Sequence, residues 1–383
     1  MGPRRAVVVR IVLGTVFLVL LVLAHPAMTH ARAAGVLLRL GEGVDNPLGL
    51  RDFATVPFVR TPLSIKVGEG SFPAYLYAPD ATGSVAVGAV LVHGVHYRGI
   101  DEARLVKFAE SLAASGVTVL TPAIESLQDY HVDQEAVARI GLAAHALRER
   151  LGGDKHVGVI GISFAGSLSL LAAASPKMGD DIGYVVTVGA YDDLARVSRF
   201  YATGRIERPD GKIVSQTPHE YGPVVWVYSH MEDFFPAEDL TLARASLQSW
   251  LHEDRDAARA ILGRIAAPSR ARLEAIYSGK VVEAFPEIPA DIERHARELA
   301  ALSPHEHLEG IHVPVFLLHG SDDSLVPASE TMWLAHDLPP GMLAFALISR
   351  ALTHVELGGQ ASLAERWQAI HFMAGVLAKA KSP

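Results

Sequence analysis

Val157-Gly158-Val159-Ile160-Gly161-Ile162-Ser163-Phe164-Ala165-Gly166 decides how the rest of the chain is read. An unbroken apolar run of β-type residues stops at a serine, and a helix-type pattern starts at once. Gly161 and Ala165 flank the serine at two residues on either side. A strand that turns abruptly into a helix brings neighbouring backbone close and strains the residue at the corner, so only small side chains fit beside it. Such an elbow lifts the serine hydroxyl off the sheet and aims the helix N-terminus at developing negative charge. The bland alternative is a serine that merely caps a helix.

Outward from this stretch, short apolar strands alternate with amphipathic helices. Leu63–Val67 and Phe72–Ala78 read as a hairpin across Gly68-Glu69-Gly70, after a loop-like stretch over 45–62. Strands follow at Val85–His93, Val117–Thr121, Val157–Ser163 and Tyr184–Gly189. Helices are expected at Glu102–Ser115, Gln134–Leu151 and Ala165–Ala174. Near-continuous apolar strands alternating with helices imply an α/β fold with a mostly parallel central sheet covered on both faces. The alternation stops near Ala190. From 191 to 310 the chain is helix-rich and more charged, with helical spacing at Leu240–Glu253, Ala257–Ile265, Ser269–Tyr277 and Ala290–Ala301. The α/β pattern resumes with a strand at Val313–His319, a helix at Ala328–His336, a strand at Leu343–Ile348 and a closing helix at Ala361–Ala380. The expected organisation is a leader over 1–33, a core in two parts over 34–190 and 311–383, and a helical cap inserted at 191–310.

A serine hydroxyl needs a base, and the base needs an orienting carboxylate. Among 18 histidines, His354 follows the last strand in a short loop and is the candidate base. His319 ends a strand and reads as a turn residue, His371 sits in a helix, and His305 and His307 lie in the return to the sheet. The strand before His319-Gly320-Ser321-Asp322-Asp323 ends in a turn carrying two acids. Asp323 is the chosen orienting acid, with Asp322, Asp192 and Asp193 as alternatives, since one Asp of such a pair commonly serves the turn itself. The loop Leu91-Val92-His93-Gly94-Val95-His96 is placed to supply an oxyanion donor. The expected donors are the N–H groups of Val95 and Phe164, with Gly94 as the second choice in the first loop; His96 and Tyr97 would line the site.

Ser163, Asp323 and His354 each fall just past a strand, in the order serine–acid–histidine. On these residues the sequence resembles the α/β-hydrolase superfamily over about 60–190 and 305–383, and it is most similar to the dienelactone-hydrolase-like and acyl-peptidase-like branches. The resemblance implies the α/β-hydrolase fold and a serine hydrolase. Where the dienelactone hydrolases usually carry Cys, this chain has Ser163, which favours ester or amide substrates. The resulting expectation is a carboxylic ester hydrolase acting through an acyl-enzyme. A peptidase, lipase or acyltransferase with the same triad remains open, as does a catalytically silent membrane-tethered binding protein.

Composition narrows the field. Of 383 residues half are hydrophobic, enough for a large core, and the formal charge of −8 argues against a protein that coats nucleic acid. There is no cysteine, which excludes disulfides, thiol nucleophiles and thiolate metal sites. Without a phosphate loop, a dinucleotide glycine pattern or an H-E-x-x-H string, no cofactor and no metal are expected. At the N-terminus, Arg4 and Arg5 precede the apolar residues 6–24, and Ala31-Arg32-Ala33-Ala34 resembles a processing site. This predicts export, either as a secreted or periplasmic protein after cleavage or as one anchored in the membrane by residues 6–24 with the catalytic domain outside the cytoplasm. A buried N-terminal helix is the plainer reading. In the insertion, Phe234, Phe235, Trp250 and Tyr277 either line an acyl pocket or form the insertion's own core; the second is preferred.

Overall fold

The computed structural model describes residues 26–41, 49–80, 87–153, 156–350, 352–353, 356–357 and 362–380. A helix over residues 26–40 (α1) comes first. The strands β1 (Phe58–Val67) and β2 (Gly70–Pro79) form the expected hairpin, with Gly68 at φ +55° in its turn. Strand β1 begins five residues before the expected Leu63, and it includes Pro62, paired with Tyr75. It is an edge strand, where a proline without an N–H interrupts no second ladder.

The chain then runs through β3 (Gly88–Val92), α2 (Ala103–Ala113), β4 (Thr118–Pro122), the short α3 (Glu125–Gln128), α4 (Gln134–Arg150), β5 (Val157–Ile162), α5 (Phe164–Ala174) and β6 (Ile182–Val188). After α6 (Leu194–Thr203) comes a small hairpin of β7 (Arg205–Glu207) and β8 (Ile213–Ser215), which the apolar patterning did not announce. Eight helices follow: α7 (Tyr221–Ser229), α8 (Met231–Phe234), α9 (Ala237–Leu251), α10 (Arg255–Leu262), α11 (Ala267–Tyr277), α12 (Val281–Ala284), α13 (Ile288–Arg294) and α14 (Ala296–Ala301). The single helix expected over Ala290–Ala301 is two helices, parted at His295. The sheet resumes with β9 (Val315–Gly320), α15 (Ser329–Asp337) and β10 (Leu343–Ser349), and α16 (Leu363–Ala380) closes the described chain.

The large sheet has eight strands in the order β1-β2-β4-β3-β5-β6-β9-β10. β2 runs antiparallel to both its neighbours, and all pairs from β4 to β10 are parallel. β3 and β5 are fully buried along their length, as central parallel strands covered on two faces must be. One face packs on α4, α5 and the insertion, through residues such as Val90, Val159 and Leu168. The other packs on α1, α2 and α16, through Leu91, Ile160 and Phe372. Ala33 and Val36 of α1 are fully buried in that second layer, and Arg39 ties α1 down through the carbonyls of Arg51 and Ser111. The stretch expected to be a processing site thus lies on a helix packed against the core. No described helix is long and apolar enough to cross a membrane, and the apolar residues 6–24 lie outside the described residues.

From β3 the chain moves one way to β4, and from β5 the other way to β6. The carboxyl ends of β3 and β5 are therefore a switch point, where connections diverge and leave a crevice.

Candidate active site

This strand order, with the second strand reversed and a serine elbow after the fifth, is the α/β-hydrolase fold. At the elbow Ser163 adopts φ 56°, ψ −132°. A positive φ at a residue with a Cβ costs about 1–3 kcal/mol and persists only where the surroundings enforce it. Here they do: the Ser163 N–H donates to the Val188 carbonyl at 2.6 Å, and its own carbonyl accepts from Gly166 N–H at 2.8 Å. A Cβ on Gly161 would stand 2.4 Å from the Ala165 oxygen, and one on Gly166 would stand 2.9 Å from the Ala190 Cβ. The demand for small residues thus falls on 161 and 166, while Ala165 is accommodated, fully buried.

Across the switch point lies the loop after β3. His93 is buried, with its Nδ1 2.8 Å from the Gly94 carbonyl and its Nε2 3.2 Å from the Ile124 N–H. These partners demand the neutral tautomer that donates from Nδ1 and accepts at Nε2. Burial lowers the His93 pKa from 6.5 to about 4, against the opposing pull of the Gly94 carbonyl. In a trans peptide N–H and C=O point opposite ways. With the Gly94 carbonyl held by His93, the Val95 N–H of the same peptide points away from that ring. The next peptide is held at both ends as well: Tyr221 Oη donates to the Val95 carbonyl at 3.1 Å, and the His96 N–H donates to the Leu127 carbonyl at 3.1 Å. A Cβ on Gly94 would lie 3.3 Å from both the Ser163 Cβ and the Ile162 oxygen, so the two loops touch. Phe164 is the first residue of α5, where N–H groups lack intrahelical partners.

The two acids after β9 part company. Asp322 is exposed and Asp323 is buried. Asp323 Oδ1 accepts from the N–H groups of Leu325 at 2.8 Å and Val326 at 3.0 Å. Its Oδ2 lies 3.5 Å from His319 Nε2. His319, fully buried, spans from the Val326 carbonyl to Thr331 Oγ1 and braces this turn, in keeping with a structural part. Asp193 caps α6, and buried Asp192 pairs with Arg196 at 2.9 Å beside buried Glu330. Burial, with the Glu330 carboxylate, raises the Asp192 pKa, while Arg196 opposes the rise. Asp192 and Asp193 are thus engaged in holding the start of the insertion. His354, the expected base, lies outside the described residues.

A cavity of about 740 Å³ joins these parts, lined among others by Gly94, Val95, Ser163 and Phe164. The insertion supplies much of the opposite wall, including Tyr201, Tyr221, Trp226, His230 and His295. Sequence reasoning missed these residues. Tyr221–Ser229 is apolar on all sides, so its spacing reveals no helix face. Tyr201 is buried, and its hydroxyl has no hydrogen-bond partner among the described residues. Phe234, Phe235, Trp250 and Tyr277 do not line the cavity. The first two pack on Phe285, and Trp250 stacks on Tyr277 at 4.1 Å, so they are the insertion's own core.

No protein-family model matches the sequence, and no curated protein matches it either. Solved structures similar to it include an acylaminoacyl peptidase of Pyrococcus horikoshii, at 12% identity, a TM-score of 0.49, and coverage of 86% of this chain and 42% of that one. Another is a 2,6-dihydroxy-pseudo-oxynicotine hydrolase, at 17% identity and a TM-score of 0.46, covering 84% and 68%. A third is Est1E from Butyrivibrio proteoclasticus, at 14% identity and a TM-score of 0.45, covering 83% and 99%. The chain spans about two-fifths of the length of the acylaminoacyl peptidases it matches, 42%.

Proposed function

We propose that the chain is a serine hydrolase that cleaves carboxylic esters through a Ser163–His354–Asp323 triad. The observation that carries this reading is the strained backbone of Ser163 at the elbow, facing the cavity at the switch point. Such strain is retained at positions that do work, because sequence drift would otherwise relax it.

In this mechanism His354 takes the Ser163 hydroxyl proton as Oγ bonds to the ester carbonyl carbon. The carbonyl oxygen gains the negative charge and accepts hydrogen bonds from the N–H groups of Val95 and Phe164, with the Gly94 N–H nearby. Collapse of the adduct breaks the bond to the alcohol oxygen, which leaves with the proton held by His354. Water, deprotonated by His354, then attacks the acyl-enzyme, and Ser163 recovers its proton. Asp323 orients the imidazole and stabilises the imidazolium. Two backbone donors hold its Oδ1, which fixes the plane of the carboxylate. The helices within 191–310 act as the cap that selects the acyl or alcohol group, and the apolar leader places the domain outside the cytoplasm.

The test is covalent. The full-length chain is incubated with a fluorophosphonate and its intact mass measured, with Ser163→Ala in parallel. One adduct on the wild type and none on the variant is the expected result. p-Nitrophenyl esters of graded length, set against peptide amides, then separate esterase from peptidase. Ser163→Ala should lower kcat/KM by about 10⁴-fold or more with its fold intact; full activity in that variant would sink the assignment.

A further inference from the structure

The wall of the cavity opposite Ser163 holds a second cluster. α7 ends at Ser229, and His230 stands before α8; α13 ends at Arg294, and His295 stands before α14. Each histidine thus occupies a break between two helices, and their ring centroids are 4.2 Å apart. Glu298 follows within α14. Taking one donor atom each, His230, His295 and Glu298 lie within 4.8 Å of one another, and all three line the cavity.

One ring is already turned to offer a lone pair, and the other is held between two carboxylates. His230 Nδ1 is 3.0 Å from the Trp226 carbonyl oxygen, which can only accept, so Nε2 carries the free pair. His295 Nε2 is 3.0 Å from Asp233 Oδ2, while its Nδ1 is 3.2 Å from Glu298 Oε2. Both partners are carboxylates, which only accept, so the resting ring donates from both nitrogens, and an ion would take the place of the Nδ1 proton towards Glu298. Metal-binding histidines are oriented in this way, one nitrogen on the ion and the other donating to a carbonyl or carboxylate. The outer groups are themselves held. Arg294 lies 3.4 Å from Asp233 and pairs with buried Asp291, which accepts the Trp226 Nε1–H at 2.8 Å. That bond returns the network to α7, the helix just before His230.

Charge points the same way. Asp233 and Asp291 flank the guanidinium of Arg294, and Glu298 stands against His295, three carboxylates to one guanidinium. Tetrahedral zinc with bonds of about 2.0–2.1 Å sets its donors about 3.3 Å apart, so rotation of the exposed Glu298 side chain draws the site closed.

We propose that His230 Nε2, His295 Nδ1 and the Glu298 carboxylate bind one divalent transition-metal ion of the zinc class, with Asp233 and the Trp226 carbonyl as outer partners. Three protein ligands leave a fourth position, open to the cavity shared with Ser163, for water or a substrate oxygen. The ion would also tie together two parts of the insertion that are more than sixty residues apart in sequence. The site does not depend on the part assigned to Ser163.

The experiment is a titration of the chelator-stripped, full-length chain with Zn²⁺ against a chromophoric competitor, repeated with Co²⁺ while visible absorption is followed. One tight equivalent is expected, and the Co²⁺ form should show the strong bands of a four-coordinate site. His230→Ala and His295→Ala should each weaken binding by about 100-fold or more, and Asp233→Asn by about 10–100-fold. Glu298→Gln changes a side chain that is 59% exposed, so it reports on the ligand without endangering the fold; it too should lose tight binding. His336→Ala, at a surface pair with Asp337, should change nothing. Absence of a tight equivalent in the wild type overturns the proposal, and so does one that survives both His230→Ala and Glu298→Gln.

Discussion

The cavity has two walls made of different material. The Ser163 wall is backbone: strand ends of a parallel sheet, peptide N–H groups, and glycines whose missing side chains let chains touch. The His230–His295 wall is side chain: short helices joined by pairs such as Arg199–Glu293 at 2.8 Å and Arg244–Glu232 at 2.6 Å, both substantially exposed. Exposed pairs contribute about 0–1 kcal/mol each, so the second wall is individually tolerant. The first wall is not, because each peptide there is held by a neighbouring strand or loop. Chemistry belongs where positions cannot drift, and selection of what enters belongs where substitution is cheap.

Substitutions in the backbone wall should therefore be severe. In the proposed triad Asp323→Asn keeps shape and the Oδ1 contacts but would present an amide to His354; by analogy with other triads kcat should fall by about 10⁴-fold, measured on the best p-nitrophenyl ester. Asp322→Asn, at an exposed position, should leave kcat unchanged. Equal losses in the two variants would erase the distinction between these acids.

A pH series probes the same wall more gently. His93 must be neutral to accept from Ile124 and donate to Gly94, and its folded pKa of about 4 lies below the 6.5 of an unfolded chain. A depressed folded pKa means that the unfolded state binds the proton first. This stabilisation, on the order of 3 kcal/mol, is full above pH 6.5 and lost as pH falls towards 4. Denaturant midpoints between pH 7 and pH 4 should show the slope, and His93→Gln should flatten that part of the curve. An unchanged slope in the variant would refute the assignment to His93.

The smallest effect is expected at Tyr201, on the insertion side. Its buried hydroxyl has no partner among the described residues, and a buried orphan costs about 1–3 kcal/mol. Tyr201→Phe should leave stability equal or higher while kcat/KM falls by about tenfold, as expected of a hydroxyl held ready for substrate. A stability loss with unchanged kcat/KM would show instead that the hydroxyl serves the fold, and would blur the contrast between the walls.

Much of the first wall was legible in the residues. The change from β-type to helix-type patterning at Ser163 located the elbow, because the period of apolar residues changes where backbone geometry changes. Asp323 was chosen from a strand end, and the structure buries it while leaving Asp322 exposed. The second wall was hardly legible. His230, His295 and Glu298 are ordinary polar residues in sequence, and no local spacing links residue 230 to residue 295. Tyr221 reaches the Val95 carbonyl from 126 positions away. The break at His295 was missed because the apolar spacing runs on through it.

The sequence by itself determined the alternation of strands and helices, the small residues at the elbow, and the place where the sheet is interrupted. These are local matters, set by side-chain period, by size and by strand ends. Only the tertiary structure decided which strands are neighbours, how His93 and Tyr221 hold the loop around Val95, and which face of the insertion looks into the cavity. Those depend on contacts between residues tens to hundreds of positions apart, and they exist only once the sheet has brought β3 and β5 side by side and the helices have closed over their carboxyl ends.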